Sequence, residues 1–168
     1  MITAIHRVGD LGRGVLSVMA KPECGKSVHD QFTALQNVGV SAIVSLLEPQ
    51  EACQLGLQDE PRHCERFDIQ FRQFPITDMQ LPDDIDAFVQ FINRLHGEVV
   101  HGSHAVVHCR AGIGRTGMVA ASLLIKHGRQ PQQALHQLIE ARGVEMPDTE
   151  EQRAFIFNVA ELLGQGGQ

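Results

Sequence analysis

The residues with the most chemistry in their types and spacing run Val106-Val107-His108-Cys109-Arg110-Ala111-Gly112-Ile113-Gly114-Arg115-Thr116-Gly117. An apolar strand ends at a cysteine, a loop with two glycines follows, and a helix begins at an arginine. In that arrangement the backbone N–H groups of Arg110, Ala111, Gly112, Ile113, Gly114 and Arg115 converge on one point, because Gly112 and Gly114 tolerate the dihedrals a cradle needs. The helix amino terminus directs about half a positive charge at the same point. This is an anion site, and Arg115 can fold back over it with a planar fork matched to phosphate oxygens. The same field favours the thiolate of Cys109, a nucleophile poised for in-line attack on phosphorus. The expected product is a cysteinyl-phosphate that water then hydrolyses. Thr116 is placed to hydrogen-bond the sulfur, and His108 to orient the loop.

A cysteine followed six residues later by an arginine is a weak signal in a chain with this many arginines. The full context is far more specific: histidine before the cysteine, glycines three and five beyond it, Thr-Gly after the arginine, a strand before and a helix after. His-Cys-x-x-Gly-x-Gly-Arg-Thr-Gly resembles the signature loop of the protein tyrosine phosphatases at every fixed position. The order of the surrounding elements is similar to that of the compact, dual-specificity-like members, among them the cyclin-dependent-kinase-associated phosphatases and small prokaryotic relatives.

The resemblance implies a general acid on a loop about thirty residues before the cysteine. Asp78, in Phe74-Pro75-Ile76-Thr77-Asp78-Met79-Gln80-Leu81-Pro82, fits that place; Asp83 and Asp84 are its rivals, better suited to charging the first turn of the next helix. It also implies a glutamine that positions the hydrolytic water. Gln152, in Pro147-Asp148-Thr149-Glu150-Glu151-Gln152, is the candidate, although Asp148 stands where another glutamine is usual. Capping of the last helix accounts for that stretch equally well. Glu48 could support Arg115 or only start a turn.

Fold class follows from the order of elements. Strands are expected at Val15–Met19, Val40–Leu47, Phe67–Phe74 and Ala105–His108. Helices are expected at Ser27–Val38 (Ser27 as N-cap; Phe32, Leu35 and Val38 on one face; Gly39 ending it), Pro82–Val99, Arg115–Lys126, Pro131–Arg142 and Thr149–Leu163. Alternating strand and helix predict one α/β domain over 1–168 with a largely parallel sheet covered by helices; the resemblance implies a central, mainly parallel twisted sheet with helices on both faces. Its core spans about Gly14 to Leu163, and Gly164 to Gln168 reads as a frayed tail.

Bulk properties bound the partners. At 168 residues the chain can bury one proper core, and 43% hydrophobic with 20% charged residues is a globular composition. A net charge of -6 disfavours nucleic acid and anionic membranes as partners. No segment approaches the roughly 20 apolar residues of a membrane span. Met1 to Asp10 lacks a signal-peptide core, so a cytoplasmic location is expected. Cys24, Cys53, Cys64 and Cys109 are irregularly spaced, which predicts free thiols; one of the first three could be a redox partner for Cys109. His101, His104 and His108 complete no metal-ligand set, and the chemistry calls for no metal or cofactor.

Phosphoprotein or phosphopeptide hydrolysis, with phosphotyrosine favoured, is therefore the leading reading. A phosphoinositide, nucleotide or sugar phosphatase is the alternative, disfavoured because Ile113 stands where inositol-phosphate enzymes often carry lysine. A catalytically dead binding module would have lost the cysteine, arginine or acid, and this chain retains candidates for all three. Sulfur transferases lack the downstream Gly-Arg-Thr-Gly and the upstream acid. The chain has no tyrosine or tryptophan, so an aromatic pocket wall would fall to one of its eight phenylalanines. Oligomeric state is not legible.

Overall fold

The computed structural model describes residues 1–165. Five strands form one sheet in the order β1-β2-β5-β3-β4: β1 (His6–Leu11), β2 (Gly14–Met19), β3 (Ala42–Ser45), β4 (Gln70–Gln73) and β5 (His104–His108). Only the β1–β2 hairpin is antiparallel; β2, β5, β3 and β4 are mutually parallel. The helices are α1 (Val28–Asn37), α2 (Pro49–Gln54), α3 (Glu60–Arg66), α4 (Ile85–Val100), α5 (Gly114–Lys126), α6 (Pro131–Arg142) and α7 (Glu150–Gln165).

Strand periodicity decides which helices cover which face. Leu16 and Val18, Ala42 and Val44, and Ala105 and Val107 point to one side, where they pack with α4, α5, α6 and α7. Met19, Ile43 and Val106 alternate to the other side and meet Phe32 and Leu35 of α1 and Cys64 of α3. Helix α5 is the centre of the larger layer and is buried from Gly114 to Ile125. Each fully buried leucine there contributes on the order of 1.5–3 kcal/mol. A helix so enclosed has a fixed amino terminus.

The register aligns the strand ends. Both Met19 of β2 and Ser45 of β3 pair with His108 of β5, so the three strands finish together. Everything leaving the carboxyl edge emerges side by side, which is where ligands bind in open parallel sheets.

Several expectations need correction in detail. Strand Val40–Leu47 narrows to Ala42–Ser45, and Phe67–Phe74 narrows to Gln70–Gln73 because α3 occupies the chain up to Arg66 and Asp68 turns at φ 57. Ser27 makes no side-chain cap bond to α1, and Val38, expected on the buried face, is 55% exposed. Helix α4 begins at Ile85 rather than Pro82; Asp84 is its N-cap and accepts from the Ala87 amide at 3.0 Å. Strand β1 and the short helices α2 and α3 were not anticipated. The expected tail at Gly164 to Gln168 is helical as far as Gln165, and 166–168 lie outside the described residues. Among the described residues no helix is long and apolar enough to cross a membrane.

Candidate active site

The segments that leave the carboxyl edge after β2, β3 and β4 each contact the loop after β5 or the Arg115 that follows it. The loop after β5 carries Cys109 to Ile113 and runs into α5. Its amides from Arg110 to Thr116 meet no protein acceptor among the described residues, and no side chain caps α5 at Ile113. A ring of unsatisfied N–H groups at a buried helix start is the electrostatic signature of an anion site.

Two glycines make the cradle sterically possible. Gly112 sits at φ 74, and a Cβ there would lie 2.5 Å from the Met19 carbonyl oxygen. A Cβ on Gly114 would lie 2.5 Å from Asp148 Oδ2 and 2.9 Å from Gln152 Oε1. The loop therefore presses against the β2 exit on one side and the start of α7 on the other. Two more bonds hold it: the Lys21 amide donates to Arg110 O at 3.0 Å, and Arg142 Nη2 donates to Ala111 O at 3.1 Å.

Cys109 is 3% exposed, and the Thr116 hydroxyl donates to its sulfur at 3.0 Å. His108 is fully buried, with Nδ1 3.1 Å from the Cys109 carbonyl oxygen and Nε2 2.6 Å from Glu60 Oε2. Arg115, although charged, is 1% exposed. Its Nη1 donates to Glu51 Oε1 at 2.8 Å and to the Ile76 carbonyl at 2.9 Å; Nη2 donates to Glu51 Oε2 at 2.9 Å and lies 3.1 Å from Asp78 Oδ1. Burial alone would lower the pKa of the guanidinium. The hydrogen bonds it donates to Glu51, with the nearby Cys109 and Asp78, outweigh burial and raise its pKa above the ordinary value.

Glu51, not Glu48, is thus the carboxylate behind Arg115. The reason is local. Glu48 is the N-cap of α2 and takes the Thr77 hydroxyl on Oε2 at 3.3 Å, while Glu51, three residues on at the first turn, faces the guanidinium. The Arg115 hydrogen bond, partly opposed by burial, holds Glu51 below the ordinary carboxylate value of 4.5. A depressed carboxylate contributes stability that is present above its unfolded value and is lost as pH falls through the folded one. The melting-temperature gap between wild type and Glu51→Gln is therefore expected to be open near neutral pH and to close below about 4.5. A gap that persists unchanged into acid would remove Glu51–Arg115 as its source.

Asp78 is half exposed on the loop after β4 and reaches the site through its contact with Arg115. That loop is pinned at both ends, by Ile76 O on Arg115 and by Gln80 O, which accepts from Gln152 Nε2 at 3.4 Å. Asp84 is committed to the α4 cap, and Asp83 has no bond to the site among the described residues. Gln152 forms a reciprocal capping box with Thr149: its amide donates to Thr149 Oγ1 at 3.0 Å and its Oε1 accepts from Thr149 N at 3.2 Å and Asp148 N at 3.1 Å. Of the two roles open to Gln152, capping is the one its contacts show.

The remaining singled-out residues lie elsewhere. His104 Nε2 meets Ser17 Oγ at 2.7 Å and His101 Nδ1 meets Gly97 O at 2.7 Å. No cluster of three or more His, Cys, Asp or Glu that could hold a metal occurs among the described residues. Cys64 is buried on α3, and Cys24 donates to Leu55 O at 3.3 Å. Glu51 and Glu60 escaped sequence reasoning. Each lies on a helix of six or seven residues, and only the tertiary fold brings it to the loop.

The comparisons with known proteins agree with this geometry. The profile of a family described as polymorphic toxin system, DSP-PTPase phosphatase, matches residues 17–129. Protein 197R of Invertebrate iridescent virus 6, named for a tyrosine phosphatase, is 30% identical over 106 residues; the match covers 60% of this chain and only about a third (36%) of the viral protein. Among solved structures, a kinase-associated phosphatase (KAP) with its catalytic cysteine replaced by serine superposes with a TM-score of 0.84 at 21% identity, covering 97% of each chain. PTPMT1 in complex with PI(5)P gives 0.72 at 17% identity over 98% of this chain and 99% of that one. TpbA of P. aeruginosa, in complex with pTyr, gives 0.66 at 18% identity over 90% and 85%.

Proposed function

The chain belongs to the polymorphic toxin system DSP-PTPase phosphatase family, and from that premise we propose that it hydrolyses phosphotyrosine in proteins, with phosphoserine and phosphothreonine as further substrates, through a cysteinyl-phosphate intermediate. The observation that carries the reading is the stack at one point: a buried sulfur, a ring of free amides and a buried guanidinium held by Glu51.

In the proposed mechanism the amides of Arg110, Ala111, Gly112, Ile113, Gly114 and Arg115, together with the Arg115 fork, bind the three non-bridging oxygens. Phosphate arriving at the fork replaces Asp78 as its anion, and the displaced Asp78 carboxylate takes up a proton from solvent. The Cys109 thiolate attacks phosphorus in line; the S–P bond forms as the ester P–O bond breaks, and Asp78 gives its proton to the leaving oxygen. Asp78, now a carboxylate, takes a proton from water, whose hydroxide attacks phosphorus and expels the thiolate. The Thr116 hydroxyl, 3.0 Å from the sulfur, stabilises the charge returning to it. His108 and Gln152 act on the frame, one through the Cys109 carbonyl and the other through the Gln80 carbonyl.

Asp78→Ala tests the acid. Turnover of a serine or threonine phosphate, whose alkoxide leaves poorly, should fall by roughly 10²–10⁴-fold, and that of an activated aryl phosphate far less. If Asp83→Ala or Asp84→Ala has that leaving-group signature, Asp78 is not the acid. Substrate class is tested by metal-free hydrolysis of a matched panel: phosphotyrosine peptide, phosphothreonine peptide, phosphoinositide and mononucleotide. Turnover of the lipid or nucleotide alone would keep the chemistry and overturn the protein substrate.

A further inference from the structure

His108 faces an acceptor from each ring nitrogen. A carbonyl oxygen only accepts, so Nδ1, 3.1 Å from Cys109 O, carries a hydrogen. Nε2 and Glu60 Oε2 stand 2.6 Å apart, a separation that two unprotonated atoms do not sustain, so a second proton lies between them. The pair thus holds two protons and no net charge. Both side chains are buried, at 0% and 2% exposure, in the layer between the sheet and α3.

The charge distribution within the pair follows from its surroundings. Burial alone opposes an imidazolium, and so does Arg115 from α5. The charge and hydrogen bond of Glu60, with the Cys109 carbonyl, outweigh them and raise the His108 pKa above its ordinary 6.5. The other titratable group on α3 at this interface is Cys64, whose thiol is pushed up to about 12 by burial and by Glu60 and so stays neutral. The positive end of the pair therefore lies one residue from the sulfur, with the negative end beyond it.

We propose that Glu60 is a positioning residue for the nucleophile: it holds His108 as a doubly donating imidazolium, which ties down the Cys109 carbonyl and sets a positive charge behind the sulfur. This rests on the reading of Cys109 as the nucleophile. Period-2 alternation explains how it arises. Val106 and His108 share the sheet face that α3 covers, whereas Cys109 joins the core on the other face.

Glu60→Gln is the discriminating variant. Its amide can donate to Nε2 of a neutral His108 whose Nδ1–H still meets the carbonyl, so the geometry survives and the charge goes. The measurement is the rate of iodoacetamide alkylation at Cys109, followed by mass spectrometry because the exposed Cys53 reacts too, between about pH 5 and 9. Melting temperature and phosphotyrosine-peptide turnover are recorded in parallel. The profile is expected to move up by about one unit, making alkylation roughly tenfold slower at the acid end. An unshifted profile overturns the proposal, whatever happens to the melting temperature, and leaves Glu60 a structural residue.

Should Glu60→Gln not fold, imidazole ¹⁵N NMR of the wild type decides. Both His108 nitrogens should be protonated at a pH just above the ordinary 6.5, and one unprotonated nitrogen there refutes the imidazolium. A shifted alkylation profile in a protein that turns over no phosphate ester would uphold the positioning and sink the enzymatic reading. Turnover with an unshifted profile would do the reverse.

Discussion

A Cys109→Ser protein is expected to lose turnover of a phosphotyrosine peptide by roughly 10⁴-fold or more, the scale on which covalent hydrolases suffer when the nucleophile goes, while melting close to the wild-type temperature. The substitution changes one atom in a site that is 3% exposed, and Thr116 Oγ1 can still bond the oxygen that replaces the sulfur. What changes is nucleophilicity. A thiol is a far better nucleophile than a serine hydroxyl, which needs a base to activate it, and no base stands ready to do so. Two carboxylates of the site, Glu51 and Asp78, are both engaged with Arg115. Phosphopeptide binding should survive, because the amides and the guanidinium belong to other residues. Calorimetric binding with turnover near background is the expected pair of results. Substantial residual turnover would remove Cys109 as the nucleophile.

The contrast between what was legible in the sequence and what was not has a physical pattern. The cradle was legible because its determinants are local: an apolar strand, a cysteine, two glycines and a helix start lie within a dozen consecutive residues. The alternation of strand and helix likewise pointed to a parallel sheet covered by helices, and the resemblance of the loop added that both faces are covered. The carboxylates behind the cradle were not legible. Glu51 and Glu60 lie 64 and 48 residues from their partners, and no spacing rule connects them. Helices α2 and α3 are too short for a 3.6-residue period to declare itself, and α3 starts at Glu60 with Pro61 next, a pattern that reads as a turn. Glu48 drew attention because it ends a core strand, yet that same position makes it an N-cap and points its carboxylate at Thr77. Edge strand β1 escaped because a polar six-residue hairpin arm carries little hydrophobic pattern.

Arg115→Lys is expected to cost roughly 10²–10³-fold or more in kcat/KM for phosphotyrosine peptide, the scale of losing a preorganised transition-state donor. The residue does two jobs that an ammonium cannot combine. Its guanidinium makes two parallel bonds to Glu51, which fix the fork, and a third to the Ile76 carbonyl, which fixes the loop that bears Asp78. Lysine is a compact point charge with no fork. It would leave either Glu51 or Ile76 O without a partner, and its charge would no longer be aimed. In the proposed mechanism the same residue clamps the phosphate and places the acid, so the two functions are expected to be energetically coupled. A double-mutant cycle reads that coupling. Asp78→Ala should cost much less in an Arg115→Lys background than in the wild type, because the acid loop has already lost its anchor. If the two losses simply multiply, Arg115 clamps phosphate without placing Asp78, and the contact of 3.1 Å between them carries no catalytic weight.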